Sequence, residues 1–155
     1  MTKTEVHDLL LKEENLLKKQ KLQELLDKMA FFEHEERPLI DALNGIGVKV
    51  DSVWDLVNNR PHPHLKSNFT GNYDIAYPVL VEHLDYSYHP RVKEGIVRAL
   101  TEKNASKVAT DKILELFYKE SDKSLKWAMA NALQTLMTRQ KRLKYPEIKE
   151  VLDGL

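Results

Sequence analysis

Six histidines and twenty-four carboxylates make acid–base chemistry the first thing to look for in this chain. His83 stands beside Glu82 and Asp85, and His34 lies among Glu33, Glu35 and Glu36. A histidine next to a carboxylate can serve as a general base whose ring the acid orients. Neither cluster is accompanied by a nucleophile elbow, a Gly-rich phosphate loop, a His-Glu-x-x-His pair or an Asp-x-Asp metal loop. On helices, such clusters are more often solvated faces than sites. His62 and His64 could meet one metal ion from an extended segment, but a proline separates them and no carboxylate lies close enough to complete the shell. With no cysteine in the chain, thiolate ligands are ruled out as well. The expectation is a non-enzymatic protein with no catalytic residue, no metal and no cofactor.

Binding chemistry has a better candidate. If residues 125–137 form a helix, Leu125, Met129, Ala132, Leu133 and Leu136 share one face, and Trp127 lies nearly opposite beside Asn131, Gln134 and Thr138. A tryptophan on the polar side of an amphipathic helix is the most informative residue in the sequence. Trp and Arg dominate binding energy at protein interfaces, each often worth about 2 kcal/mol or more on truncation.

The elements that must position this tryptophan come from a repeat. Between residues 77 and 138 the sequence says the same thing twice with a period of 33. The shift takes Leu80 to Ile113, Val81 to Leu114, Leu84 to Phe117, Val92 to Leu125, Ile96 to Met129, Ala99 to Ala132 and Leu100 to Leu133, apolar on both sides each time. A period of this length, made of two short amphipathic segments, marks an array of helical hairpins in which no single hairpin can bury its own apolar face. Subtracting the period places Glu94, Arg98 and Thr101 beside the polar side of the last repeat. The expected binding strip is therefore Glu94, Arg98, Trp127, Asn131 and Gln134. Two other uses of these residues stay open: a terminal helix from Pro146 to Leu152 could cover Trp127, and Arg98 could simply pair with Glu94 four residues before it.

The remaining chain divides at residue 36. Residues 1–36 form an N-terminal helical segment, and 37–155 the repeat domain. From residue 4 to 33 there is neither Gly nor Pro, which predicts one helix of about 45 Å or a break near residues 18–21. Its apolar positions fall on two sides: Val6, Leu9, Leu10, Leu16 and Leu17, then Leu22, Leu25, Leu26 and Met29. The second set is expected to cap the array, and the first could pair with another copy, making a homodimer through the N-terminal helix. Pro38 suits the first turn of a helix that Asn44-Gly45 would end with a left-handed cap. Asp51 or Ser52 would cap the next segment, which holds Val53, Trp54, Leu56 and Val57. Residues 58–72 form one long loop, a second candidate contact near His62. Pro90 opens the second helix of the next hairpin, Ser121 or Asp122 caps the helix of Trp127, and Pro146 opens a C-terminal lid.

Composition bounds the partners. With 24 basic and 24 acidic residues the net charge is zero, which removes the cheapest argument for a nucleic acid or an anionic membrane. The charged N-terminus lacks the apolar core of a secretory signal, and no stretch reaches the length of a membrane span. A cytoplasmic protein without disulfides is the expectation.

The phrases YPVLVEHLDYSYHPRVKEGIVRAL and DKILELFYKESDKSLKWAMANAL resemble HEAT-type repeats, above all the short HEAT-like form of small bacterial proteins. SVWDLVN resembles the segment that leads into such arrays. The likeness implies an all-α fold, a short α-solenoid of antiparallel hairpins whose second helices line a concave, partner-binding side. It implies a scaffold, an adaptor or a neutralising, immunity-type protein, with another protein as partner. The rival expectations are a nucleic-acid-binding array, for which Lys123, Lys126, Arg139, Lys141 and Arg142 would supply a basic edge, and a homo-oligomer built on the N-terminal leucines.

Overall fold

The computed structural model describes residues 2–58 and 72–154. The loop expectation for 58–72, with His62 and His64, lies outside the described residues apart from its two ends. Every regular element among the described residues is helical, and no strand occurs.

Two helices precede the repeats, α1 (Lys3–Lys12) and α2 (Leu16–Glu35). The single long helix is thus not formed. The chain turns back at Glu13-Glu14-Asn15, because the Asn15 side chain accepts the Leu17 and Lys18 amides at 3.0 and 3.2 Å and so caps a new helix. Lys3 meets Glu33 at 3.1 Å, so α1 and α2 are antiparallel. The expected break near 18–21 lies inside α2. The second apolar set is corrected too: Leu26 is buried and Leu22 and Met29 half-buried in a hairpin whose main packing is α2 on α1, not as a cap on the repeats.

After the hairpin come α3 (Arg37–Gly45), α4 (Trp54–Val57), α5 (Tyr77–His83), α6 (Pro90–Ala99), α7 (Ser106–Lys119) and α8 (Lys123–Leu136). Pro38 sits in the first turn of α3. The left-handed residue that follows α3 is Gly47, at φ 94°, not Gly45, while the Asn44 side chain accepts the Val50 amide at 3.1 Å. His89 and Asp122 cap α6 and α8 by accepting the Arg91 and Leu125 amides at 3.0 and 2.9 Å.

These helices pack in two rows. α3 lies on α5 and α5 on α7, while α4 lies on α6 and α6 on α8. The period of 33 is reproduced in burial. Leu80 and Ile113, Leu84 and Phe117, Val92 and Leu125, Ile96 and Met129, Ala99 and Ala132, and Leu100 and Leu133 are all buried, and Val81 and Leu114 are both half-buried. The small residues Ala99 on α6 and Ala132 on α8 are fully buried. A short helix α9 (Arg139–Arg142) leads to α10 (Pro146–Leu152), which packs on α8 through buried Ile148 and ties to α7 where the Tyr118 hydroxyl donates to Glu147 at 3.0 Å.

Candidate interaction surface

Glu94 lies on α6 between α4 and α8, at the place that Trp127 holds one repeat later. A carboxylate enclosed on both sides must find donors, since burying an unpaired charge costs several kcal/mol. It finds three: Arg91 donates from Nη1 at 2.8 Å and Arg98 from Nε at 3.1 Å, both to Oε2, while the Ser124 hydroxyl of α8 donates to Oε1. Glu94 itself is 4% exposed. Its expected place on the open strip is therefore corrected: Glu94 holds the strip from beneath and offers no carboxylate to a partner. The Arg98–Glu94 pair weighed as an alternative is real, and it coexists with an open tryptophan.

Each arginine fixed by Glu94 also lies on an indole. The Arg98 guanidinium sits 5.9 Å from the centre of the Trp127 ring, and the Arg91 guanidinium 4.3 Å from that of Trp54. Cation–π contacts of this kind contribute about 0.5–1 kcal/mol each at exposed sites. Three consecutive second-row helices thus supply one continuous cluster, with Trp54 on α4, Arg91 and Arg98 on α6 and Trp127 on α8. Trp127 is 40% exposed even though α10 packs on the same helix. Beside it Asn131 is half-buried and Gln134 exposed, the latter's backbone carbonyl accepting from Arg142 Nη1 at 3.3 Å.

Arg91 and Trp54 are the members that sequence reasoning missed. A signal was present: Gly95, inside a helix, leaves room for a close neighbour. A Cβ there would stand 2.7 Å from Val53 Cγ1 and 2.8 Å from Trp54 Nε1, so only glycine lets α4 seat its indole against α6.

The histidine clusters are arranged differently. His83 is buried and shares a 2.7 Å hydrogen bond with the Tyr88 hydroxyl, its ring 4.2 Å from that of Tyr86. Burial holds its imidazole below the ordinary range, with Glu82 opposing the shift. Asp85 is engaged by Lys112 at 3.0 Å. His34 is exposed, while its neighbour Glu36 is buried and accepts the Val53 amide at 3.3 Å. Desolvation raises the Glu36 carboxyl above its usual range, against the hydrogen bonds from Ser52 and Val53. Among the described residues no group of three or more His, Asp and Glu side chains is placed to hold a metal ion, and no helix is long and apolar enough to cross a membrane.

Of the basic edge expected of a nucleic-acid array, Lys126 lies 5.0 Å from the centre of the Phe117 ring, and Arg142 is tied to the Gln134 carbonyl. Compared with protein-family models, curated proteins and solved structures, the chain matches none.

Proposed function

We propose that this chain is a non-enzymatic protein-binding module, a short cytoplasmic α-solenoid of HEAT-like hairpins that presents Trp127 and Arg98, with Asn131 and Gln134, to another protein. One observation carries the reading: Trp127 stays 40% exposed on a helix whose other face is fully packed. A large indole left open, braced by an arginine that a buried carboxylate orients, has the composition of an interface hot spot before its partner arrives. Adaptor or neutralising scaffold is the class that chain length and the repeat likeness favour.

The test is comparative capture from the native host, using the wild type and the Trp127→Ala, Arg98→Ala double variant at equal amounts. Proteins recovered by the wild type and depleted tenfold or more with the variant support the strip, since two hot-spot truncations together cost about 2–4 kcal/mol. Identical recovery overturns it.

A second reading is favoured by the N-terminal hairpin. Leu9, Leu11, Leu16 and Leu17 are 44–73% exposed at its turn, which suits self-association through α1 and α2.

A further inference from the structure

The double-arginine cluster admits a statement about the chemistry of what it binds, resting on the reading of the strip as a partner site. A buried carboxylate needs one cation to balance it, and Glu94 holds two. The cluster of Arg91, Glu94 and Arg98 therefore carries one positive charge in excess, and its arginine side chains are 56% and 33% exposed while the glutamate is 5% exposed. Arg98 spends only Nε on Glu94, so Nη1 and Nη2 keep their hydrogens free among the described residues. Arg91 spends only Nη1, leaving Nε and Nη2. Each of these remaining pairs is a fork of parallel N–H donors, the geometry that accepts both oxygens of a carboxylate.

Orientation is fixed in advance. Glu94 anchors both guanidiniums by one oxygen, Ser124 anchors Glu94 by the other, and the Trp54 and Trp127 rings lie 4.3 and 5.9 Å from the Arg91 and Arg98 guanidiniums. Pre-ordering removes much of the side-chain entropy that an arginine otherwise loses on binding. The two indoles at either end offer apolar surface next to the charge, which a polypeptide can use and a lone anion cannot.

We infer that the strip recognises an acidic polypeptide segment, with carboxylates seated on the free donors of Arg91 and Arg98 and an apolar side chain against Trp127. A polypeptide is favoured over nucleic acid because the chain has no net charge, and phosphate-backbone binding draws its affinity from many cations rather than one surplus charge.

The experiment uses the full chain and four probes: a blocked hexapeptide of alternating glutamate and leucine, the same peptide with glutamine for glutamate, inorganic phosphate, and a short single-stranded oligodeoxynucleotide. The two indole N–H resonances are the readout, assigned with Trp54→Phe and Trp127→Phe, since Trp54 and Trp127 are the two tryptophans of the chain. The glutamate peptide is expected to shift both resonances in a saturable way, and the glutamine peptide to bind at least about tenfold more weakly, the usual contribution of a charge-assisted pair. Arg91→Gln, whose side chain is the more exposed, should reproduce that loss while the rest of the spectrum keeps its dispersion; Arg98→Gln is the second variant. Equal binding of the glutamine peptide overturns carboxylate recognition and leaves the protein-binding strip standing. Absence of binding by the glutamate peptide at millimolar concentration overturns it too, as does tighter binding of phosphate or the oligonucleotide. Failure of the strip itself is read separately, from unchanged capture by the double variant described above.

Discussion

The α1–α2 hairpin, with eight leucines in its helices, and the stacked helices α5–α8, with six, put their apolar residues to opposite use. α6 buries six of its ten residues, whereas α1 and α2 bury one each, Val6 and Leu26. α1 and α2 pack chiefly on each other, and the leucines that point away from that seam stay in solvent. In the second row, α6 has α4 on one side and α8 on the other, and α8 lies between α6 and α10 with α7 behind it. Burial is thus set by place in the stack and not by the apolar content of the helix. The hairpin is joined to the body over a narrow junction: Phe32 lies edge-on to His89 at 5.1 Å, Glu35 accepts the His89 amide at 2.9 Å, and Glu36 accepts the Val53 amide.

The largest effect separating the two regions is expected from Phe117→Ala. Phe117 is fully buried where α7 meets α8 and α5, and its loss leaves a cavity worth about 3–5 kcal/mol in a urea unfolding curve. Native-state hydrogen exchange sharpens the contrast. Amides of α6 and α8 should open only with global unfolding, and those of α1 and of the first half of α2 at a much lower free energy. Equal protection in both regions would break the comparison.

Glu94→Ala comes next. It removes the shared acceptor of Arg91, Arg98 and Ser124, but both guanidiniums are partly exposed and can turn to water, so the cost is about 1–3 kcal/mol. The diagnostic outcome is a displaced Trp127 indole resonance, because Arg98 loses the group that holds it over the ring. An unmoved resonance would mean that the indole is positioned without Glu94.

The register of the repeats was legible because it rests on paired apolar residues, and Leu80 with Ile113 or Ile96 with Met129 are indeed equally buried. The strip was legible in part. Trp127 is open, but carrying its exposure back by one period to Glu94 failed, because the internal copy is covered by α4 and α8 while the last copy has no further complete repeat beside it. Periodicity reports which face a residue occupies and is silent on how many neighbours that face meets. The turn at Glu13–Asn15 escaped for a different reason: glutamates there are as compatible with a helix as with its end, and the decisive feature was the Asn15 side chain acting as a cap. Trp54 and Arg91 are brought together by the vacancy at Gly95, a fit between α4 and α6 that only tertiary packing defines.

A pH dependence of opposite sign should separate the junction from the body. The unfolded chain protonates His83 near its ordinary value of 6.5, and the folded chain resists because the ring is desolvated. The His83 contribution is therefore full above about pH 6.5 and is lost as pH falls through the lower folded value. Glu36 works the other way. Its folded carboxyl is raised above 4.5, so its contribution is full below that value and is lost as pH rises through the folded value. Stability curves of His83→Gln and Glu36→Gln against pH, each subtracted from the wild type, should slope in opposite directions. Parallel difference curves would show that the two groups do not titrate in distinct surroundings.

The smallest effect is expected at the turn of the hairpin, and there smallness is the point. Leu16 is 71% exposed, so Leu16→Ala should change the stability of the monomer by no more than about 0.5 kcal/mol. If the hairpin pairs with a second copy, that same side chain is buried in the dimer, and its cost then appears only as a dependence on protein concentration. Light-scattering mass across a dilution series, for the wild type and for Leu11→Lys with Leu16→Lys and Leu17→Lys, reads this directly. A mass that halves on dilution in the wild type, and stays at the monomer value in the lysine variant, assigns these leucines to self-association. A monomer in both series removes the seam, and the exposed leucines then mark the hairpin as a separate surface that the stacked helices carry without burying.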